Sequence, residues 1–575
     1  MVNFLAHQLR SLSLQSTRDY AALCGAQQQR VEETLRSGGI LKPGQRLCSF
    51  LAKNRLAGRD ETVFNVFDRS CTFLADSGVK FYGATKKEQV RERFLHHVCT
   101  FELILGSPIL TNAGRRETKS ISSCSIPPVK LGSMSRQEIA KMVGDYHTRG
   151  MGTGFCLDDL SDPIEMVKYL NHIAISEVQN GLIERSVGNM GVLSIDHPLA
   201  LAFIRIKKDN PQIKEWKFNL SVNVTDEFLS CLTDKRPFTL KNGKRVDPAL
   251  LMHEIAASAH ATGDPGLIFM DRINQLNRVP QAGRYKTVVT CGETSLFEGE
   301  VCQFSYLNLP RFLDQQKINK EALREAIHTA VLQLDNAVEA NVARMPNVQS
   351  AEIISSLRRI GIGVCGFAEV LQAMGLAYGS AEAREVARDL MSFINFESKW
   401  ASVQLAIERG PFKLFDHPQT RRDLFITPFA KQPTNFVTPG DWQRLSHSFE
   451  SHKIRNIATT ILPPSGRSSI MAGVSASIEP PFRLIPDAAF KNALERHSRL
   501  HGYRGNLQRI YDEVAGGRSL QETDLPARVK EIFKTALELT PEEHLGMTAA
   551  FQQHTDEGIS KTINVPAQAT VSSSR

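Results

Sequence analysis

The chain predicts an α/β protein on three observations. From about residue 106 onward, short apolar runs punctuated by Gly, Pro and Asn alternate with helical patterns. One helical stripe is clear: Leu323, Ile327, Val331, Leu334 and Val338 recur at spacings of 4, 4, 3 and 4 across about 320–343. Strand-like runs stand at Lys217–Val224 and Gly266–Met270. Ahead of this region, residues 1–105 read as helical, with Gly38-Gly39 as a stop after a stretch rich in Gln, Glu and Arg. The Ser-rich end, within 567–575, reads as a disordered tail. No internal repeat is present.

With 575 residues, 42% of them hydrophobic, the chain can bury one large core or several. A formal net charge of +8 is a mild excess at this length. It suits phosphorylated substrates and gives no reason to expect nucleic acid as a partner. Runs such as Lys86-Lys87-Glu88 are short or mixed in sign and read as solvated faces. The ten cysteines include no CxxC pair and no zinc-like spacing, so no metal site is read, and size excludes a disulfide scaffold. The sequence has no basic segment leading into an apolar run, and no apolar stretch of about 18 residues, so the expectation is no membrane span and a cytoplasmic location.

Three cysteines lie in polar or glycine-flanked contexts: Ser122-Ser123-Cys124, Thr290-Cys291-Gly292-Glu293 and Gly299-Glu300-Val301-Cys302. Taken singly, such a residue is more often a small core hydrophobe than a catalyst. Glu293, however, follows Cys291 by two residues, and in an extended segment the two would project to the same side. A thiol can give or, as a radical, remove a hydrogen atom, and a carboxylate can take a proton from a hydroxyl.

The ordered motifs along the chain resemble the large subunit of ribonucleotide reductases. They run Ser107–Gly114 with Ser122-Ser123-Cys124, Gly188–Pro198, Phe218–Val222, Gly263–Asn274, Cys291-Gly292-Glu293 and Glu300-Val301-Cys302. They continue through Arg358–Gly363 with Gly366-Phe367, Arg455-Asn456, Pro464–Ile470, Ile478–Pro480 and Ser560–Pro566. Each motif is weak, but the set in this order is specific and covers about residues 100–566. The resemblance implies a ten-stranded α/β barrel over 106–566 with a central finger loop. It implies Cys291 as the thiyl-radical cysteine, Glu293 as the base for the 3′-hydroxyl proton, and Cys124 with Cys302 as the thiols that reduce the substrate and close a disulfide. Ser123 and the segment Pro464-Ser465-Gly466-Arg467-Ser468-Ser469 match substrate-binding positions, the latter a phosphate loop of small residues. Without the family, that segment reads as an ordinary turn, and Asn112 and Asn219 as turn or strand residues.

The likeness is greatest to the adenosylcobalamin-dependent class, which implies that cofactor; a separate radical-generating subunit is the alternative. Implied partners are a ribonucleotide, a thioredoxin-like or small dithiol reductant, a second copy in a homodimer, and a second polypeptide completing the C-terminal part. The chain departs from the pattern in several places. Val289 stands where the family usually has Asn, and Arg467 where it usually has Thr. Gly154–Glu184 is short where the family builds its specificity site, residues 1–105 do not resemble the activity-controlling cone, and few residues follow Pro566. The expected function is reduction of ribonucleotides. The alternatives are a radical enzyme tailoring a modified nucleotide, and a non-catalytic nucleotide-binding homologue.

Overall fold

The structure is a computed structural model, and it describes residues 17–42, 45–53, 61–115, 119–183, 187–213, 215–566 and 568–570. The Ser-rich end expected to be disordered, residues 571–575, lies outside them.

Eight strands form the central sheet: β1 (Leu103–Leu105), β2 (Cys124–Ser125), β3 (Gly152–Cys156), β4 (Asn189–Ser194), β5 (Phe218–Asn223), β6 (Gly266–Ile268), β7 (Val301–Asn308) and β8 (Ile360–Cys365). Their order is β1-β7-β2-β3-β4-β5-β6, with β8 also paired to β7. From β2 to β6 every pairing is parallel. β7 runs antiparallel to β1 and β2 and parallel to β8. Two further extended segments continue beyond β8 through the parallel bridges Ile362↔Thr460 and Leu462↔Ile559. The architecture is thus two parallel halves that meet antiparallel at β2 and β7. Of the expected ten-stranded barrel, the described residues form this eight-stranded mixed sheet with its bridge-linked extensions.

β4, β7 and β8 are buried along their whole length, as expected where helices cover a parallel sheet on its outer face. The N-terminal region is helical as expected. α1 (Thr17–Ser37), α2 (Val63–Ser77) and α3 (Lys87–Cys99) pack on one another. α4 (Lys320–Val342) carries the predicted stripe, and Asn319 caps its first turn by accepting from the Ala322 amide. It is not half-exposed, however. It packs against β7, β8, α2, α3 and α5 (Ala381–Arg409), so its polar residues Asp335, Asn336 and Asn341 are buried as well. One apolar core joins the N-terminal helices, β7, β8 and the long helices, and a second lies beneath the helices covering β3–β5.

Candidate active site

Cys124 and Cys302 are 178 positions apart in sequence, yet they face each other as register partners where β2 meets β7. Directly opposed residues on antiparallel strands have Cα atoms about 4.5–5.5 Å apart, within the range a disulfide can bridge. Both sulfurs are free thiols, 7% and 0% exposed respectively. Burial raises both well above the ordinary thiol range, and the Glu293 charge adds to the effect.

Cys291 sits on a hairpin that enters the space beside this pair. Val288 and Ser295 form the antiparallel bridge at its base, and the Val289 amide donates to the Thr294 carbonyl at 3.0 Å. The turn closes through the Gly292 amide and the Val289 carbonyl at 2.9 Å. Gly292 has φ +79°, a conformation that L side chains rarely adopt, so the glycine of Cys-Gly-Glu is a backbone requirement. Because Cys291 lies in a turn, the extended geometry expected for Cys291 and Glu293 is not what brings them together. Cys291 is exposed at the tip, and Glu293 is buried on the returning arm.

The surrounding sheet is shaped to admit this loop. A β-carbon at Gly154 would lie 2.3 Å from the Val288 carbonyl oxygen, and one at Gly188 would lie 2.4 Å from Thr290 Cγ2. Thr290 donates to the Gly188 carbonyl at 3.0 Å and hydrogen-bonds the Cys124 thiol. Asn219 on β5 donates to the Thr290 carbonyl at 2.8 Å, so its role here is to hold the loop. Asn112 instead donates to the Ser120 carbonyl at 2.6 Å. From the other side, the Gly558 amide donates to the Glu293 carbonyl at 2.8 Å, and Thr294 donates to Glu557 at 3.2 Å. Glu557 is paired with Arg359, which also binds Glu300 at 2.7 Å and the Tyr285 hydroxyl at 2.9 Å. Sequence reasoning singled out Arg359 only within a motif and gave Glu557 no role. Nothing local in the sequence marked them, because Glu300, Arg359 and Glu557 each stand within two positions of another charged residue.

Among the described residues, one carboxylate oxygen of Glu293 has no hydrogen-bond partner. Burial pushes its carboxyl up to about 7. The Cys291 thiol, though exposed at the tip, is hemmed in by the surrounding elements, and this partial desolvation first and Glu293 second push it up to about 12. All three thiols are therefore protonated at neutral pH. They are suited to hydrogen-atom transfer rather than to nucleophilic attack, which needs the thiolate.

Val289 is fully buried in the core, where its side chain cannot serve as the polar contact that Asn makes in the family pattern. Ser123 is half-buried, and its carbonyl accepts from the Gly152 amide at 2.8 Å. The Pro464–Ser469 segment leads into α6 (Gly466–Ala472). Ser465 does not cap this helix; its hydroxyl accepts instead from the Ser477 amide at 2.7 Å. Pro464 and Gly466 are exposed, and Arg467 is half-buried. A cavity of about 360 Å³ adjoins the hairpin, lined by Gly292 and Glu293 and by the apolar Leu267, Ile268, Ile273 and Ile559.

A hairpin presenting a thiol and a carboxyl thus lies beside a facing thiol pair, inside a sheet of two opposed halves. The chain belongs to the ribonucleotide reductase barrel-domain family, whose model matches residues 157–574. It is 33% identical over 542 residues to a vitamin B12-dependent ribonucleoside-diphosphate reductase of Thermoplasma acidophilum, covering 89% of this chain and 65% of that protein. A Mycobacterium tuberculosis protein of the same description is 31% identical, with 89% and 73% covered. The chain thus spans roughly two thirds to three quarters of these relatives' length. In fold it is similar to the Actinobacillus ureae class Id ribonucleotide reductase alpha subunit, with a TM-score of 0.65 at 19% identity and 89% of each chain covered. No helix among the described residues is long and apolar enough to cross a membrane.

Proposed function

We propose that the chain reduces ribonucleotides to 2′-deoxyribonucleotides by thiyl-radical chemistry. The observation that carries this reading is the register of Cys124 against Cys302 beside the Cys291–Glu293 hairpin. In this scheme the Cys291 thiyl removes the 3′ hydrogen atom and the Glu293 carboxylate takes the 3′-hydroxyl proton. The 2′-hydroxyl then leaves as water. Cys124 and Cys302 supply two electrons and two protons and close a disulfide, Glu293 returns its proton to the 3′ oxygen, and the Cys291 thiol returns the hydrogen atom to C3′, restoring the thiyl. A carboxyl titrating near 7 is suited to its task, because it can both hold and release a proton at neutral pH.

The relatives' B12 dependence points to adenosylcobalamin as the radical source, and it would supply the organic radical that converts the Cys291 thiol to a thiyl. The cavity of about 360 Å³ beside Gly292 and Glu293, walled in part by Leu267, Ile268, Ile273 and Ile559, has room for the adenosyl moiety of such a group but not for its corrin ring. The substrate's phosphates are assigned to Pro464–Ser469, where the start of α6 has no side-chain cap. The Cys124–Cys302 pair is buried, which favours a small dithiol over direct contact with a thioredoxin-like protein.

The test is incubation with a ribonucleoside diphosphate or triphosphate, adenosylcobalamin and dithiothreitol, read by mass spectrometry. Deoxynucleotide should form, and a single turnover without reductant should leave a Cys124–Cys302 peptide link. Product formed while both thiols stay free would remove the pair from the mechanism. Nucleotide binding without any product would overturn the reading.

A further inference from the structure

Tyr306 lies on β7 four residues beyond Cys302. Alternation along a strand puts the two on the same face of the sheet. Its hydroxyl donates to the carbonyl of Pro464, the first residue of the Pro464–Ser469 segment, at 3.1 Å. The neighbouring strand makes way for the ring. A β-carbon at Gly363, the register partner of Tyr306 on β8, would lie 3.1 Å from the ring and 3.0 Å from Pro463. Tyr306, Gly363 and Pro463 are thus packed so that the phenol spans from β7 to the start of the substrate segment. Its hydroxyl also lies within electrostatic reach of the candidate reactive groups. Burial first, and then the charges of Glu293, Cys365, Cys124 and Cys291, raise its hydroxyl well above the ordinary phenol range, so it is a protonated donor at any working pH. It touches the 464–469 segment from the same face of β7 that carries Cys302.

We propose that Tyr306 is a positioning residue that ties the phosphate-binding segment to the strand carrying Cys302. It thereby sets the distance between a bound nucleotide's phosphates and the reacting ribose. The proposal rests on the assignment of Pro464–Ser469 to the substrate phosphates. The phenol does not take part in the chemistry. It fixes the Pro464 carbonyl, so that the backbone N–H groups entering α6 are already placed when the anion arrives, and less ordering remains to be done on binding.

The experiment is calorimetric titration of wild type and Tyr306→Phe with a ribonucleoside diphosphate and with the corresponding phosphate-free nucleoside, followed by steady-state turnover on the diphosphate. Phe keeps the ring and its packing and removes only the hydrogen bond. Diphosphate binding should weaken about 3- to 10-fold, at most the scale of one lost neutral hydrogen bond, while nucleoside binding stays unchanged and the melting temperature falls only slightly. In turnover, KM should rise more than kcat falls. Equal losses for diphosphate and nucleoside, or no loss for either, would overturn the proposal. A selective loss of diphosphate binding in a protein that makes no deoxynucleotide would keep Tyr306 as a positioning residue while refuting the proposed reaction, so the two failures are distinguishable.

Discussion

Two buried carboxylates, Asp335 and Glu293, are 0% and 1% exposed, and the chain treats them in opposite ways. Asp335, in the middle of α4, is held by Arg358 at 2.8 Å, Arg409 at 2.7 Å and Arg455 at 3.3 Å, and accepts from Asn456 at 3.3 Å. Burial alone would raise its carboxyl, but the three guanidinium groups outweigh it and hold it far below the usual range. Among the described residues Glu293 has no cation against it and one oxygen with no partner, so only a hydrogen bond from its own backbone works against burial. The first group is permanently charged and serves the fold. The second is balanced between charged and neutral, which costs stability and suits proton transfer. At this depth, whether a carboxyl is structural or functional depends on whether its partners are complete, and burial is the same for both.

That contrast can be broken most directly at the hairpin tip. Cys291→Ala should reduce deoxynucleotide formation to background while leaving the melting temperature unchanged, because the exposed side chain supports no packing. Measurable turnover in this variant would remove Cys291 from the chemistry and leave Glu293 without a reacting neighbour.

Glu293→Gln sharpens the comparison, because it should move activity and stability in opposite directions. Losing the base should lower kcat/KM by about 10²- to 10⁴-fold and abolish the rise of wild-type kcat/KM with pH through about 7. Stability should increase. A carboxyl raised in the folded state contributes stability that is complete below its unfolded range and is lost as pH rises through about 7. At pH 8 and above, Gln avoids a cost on the order of 3 kcal/mol, measurable by denaturant unfolding across pH. A variant less stable than wild type at pH 8 would mean that Glu293 has an ionic partner.

Asp335→Asn should do the reverse. It should cost about 3–5 kcal/mol, because three buried guanidinium groups lose their shared counter-charge, while activity per folded molecule is retained. The lowered folded value of Asp335 means its contribution is present above the ordinary carboxylate range and is lost as pH falls below it. The acid limb of wild-type unfolding should therefore be shallower in the variant. The smallest effect is expected at Val289→Asn. A buried amide without partners should cost about 1–3 kcal/mol and bring no gain in turnover. A gain would show that residue 289 reaches the substrate.

Much of the frame was legible in order along the chain. The helical N-terminal region, the stripe from Leu323 to Val338 and the strands near 217–224 and 266–270 follow from local periodicity, which a sequence states directly. The thiols and Glu293 were legible as chemistry by residue type and motif order. Arg358, Arg359, Arg455 and Asn456 were legible as a pattern but not in their roles. Three of them surround Asp335 and the fourth, Arg359, backs the hairpin through Glu300 and Glu557. Nothing local distinguishes these tasks, because each depends on which carboxylate the fold brings near.

By itself, the sequence determined the α/β class, the order of the elements and which side chains are candidates for the chemistry, since these depend on near neighbours and side-chain chemistry. Only the tertiary structure decided that Cys124 faces Cys302, that Val289 turns into the core and that Glu293 is left without a counter-charge. Those outcomes arise from strand register and from the fit of a hairpin against glycines on distant strands. A one-residue shift in register turns every side chain of a strand to the other face of the sheet, and no short stretch of sequence fixes it.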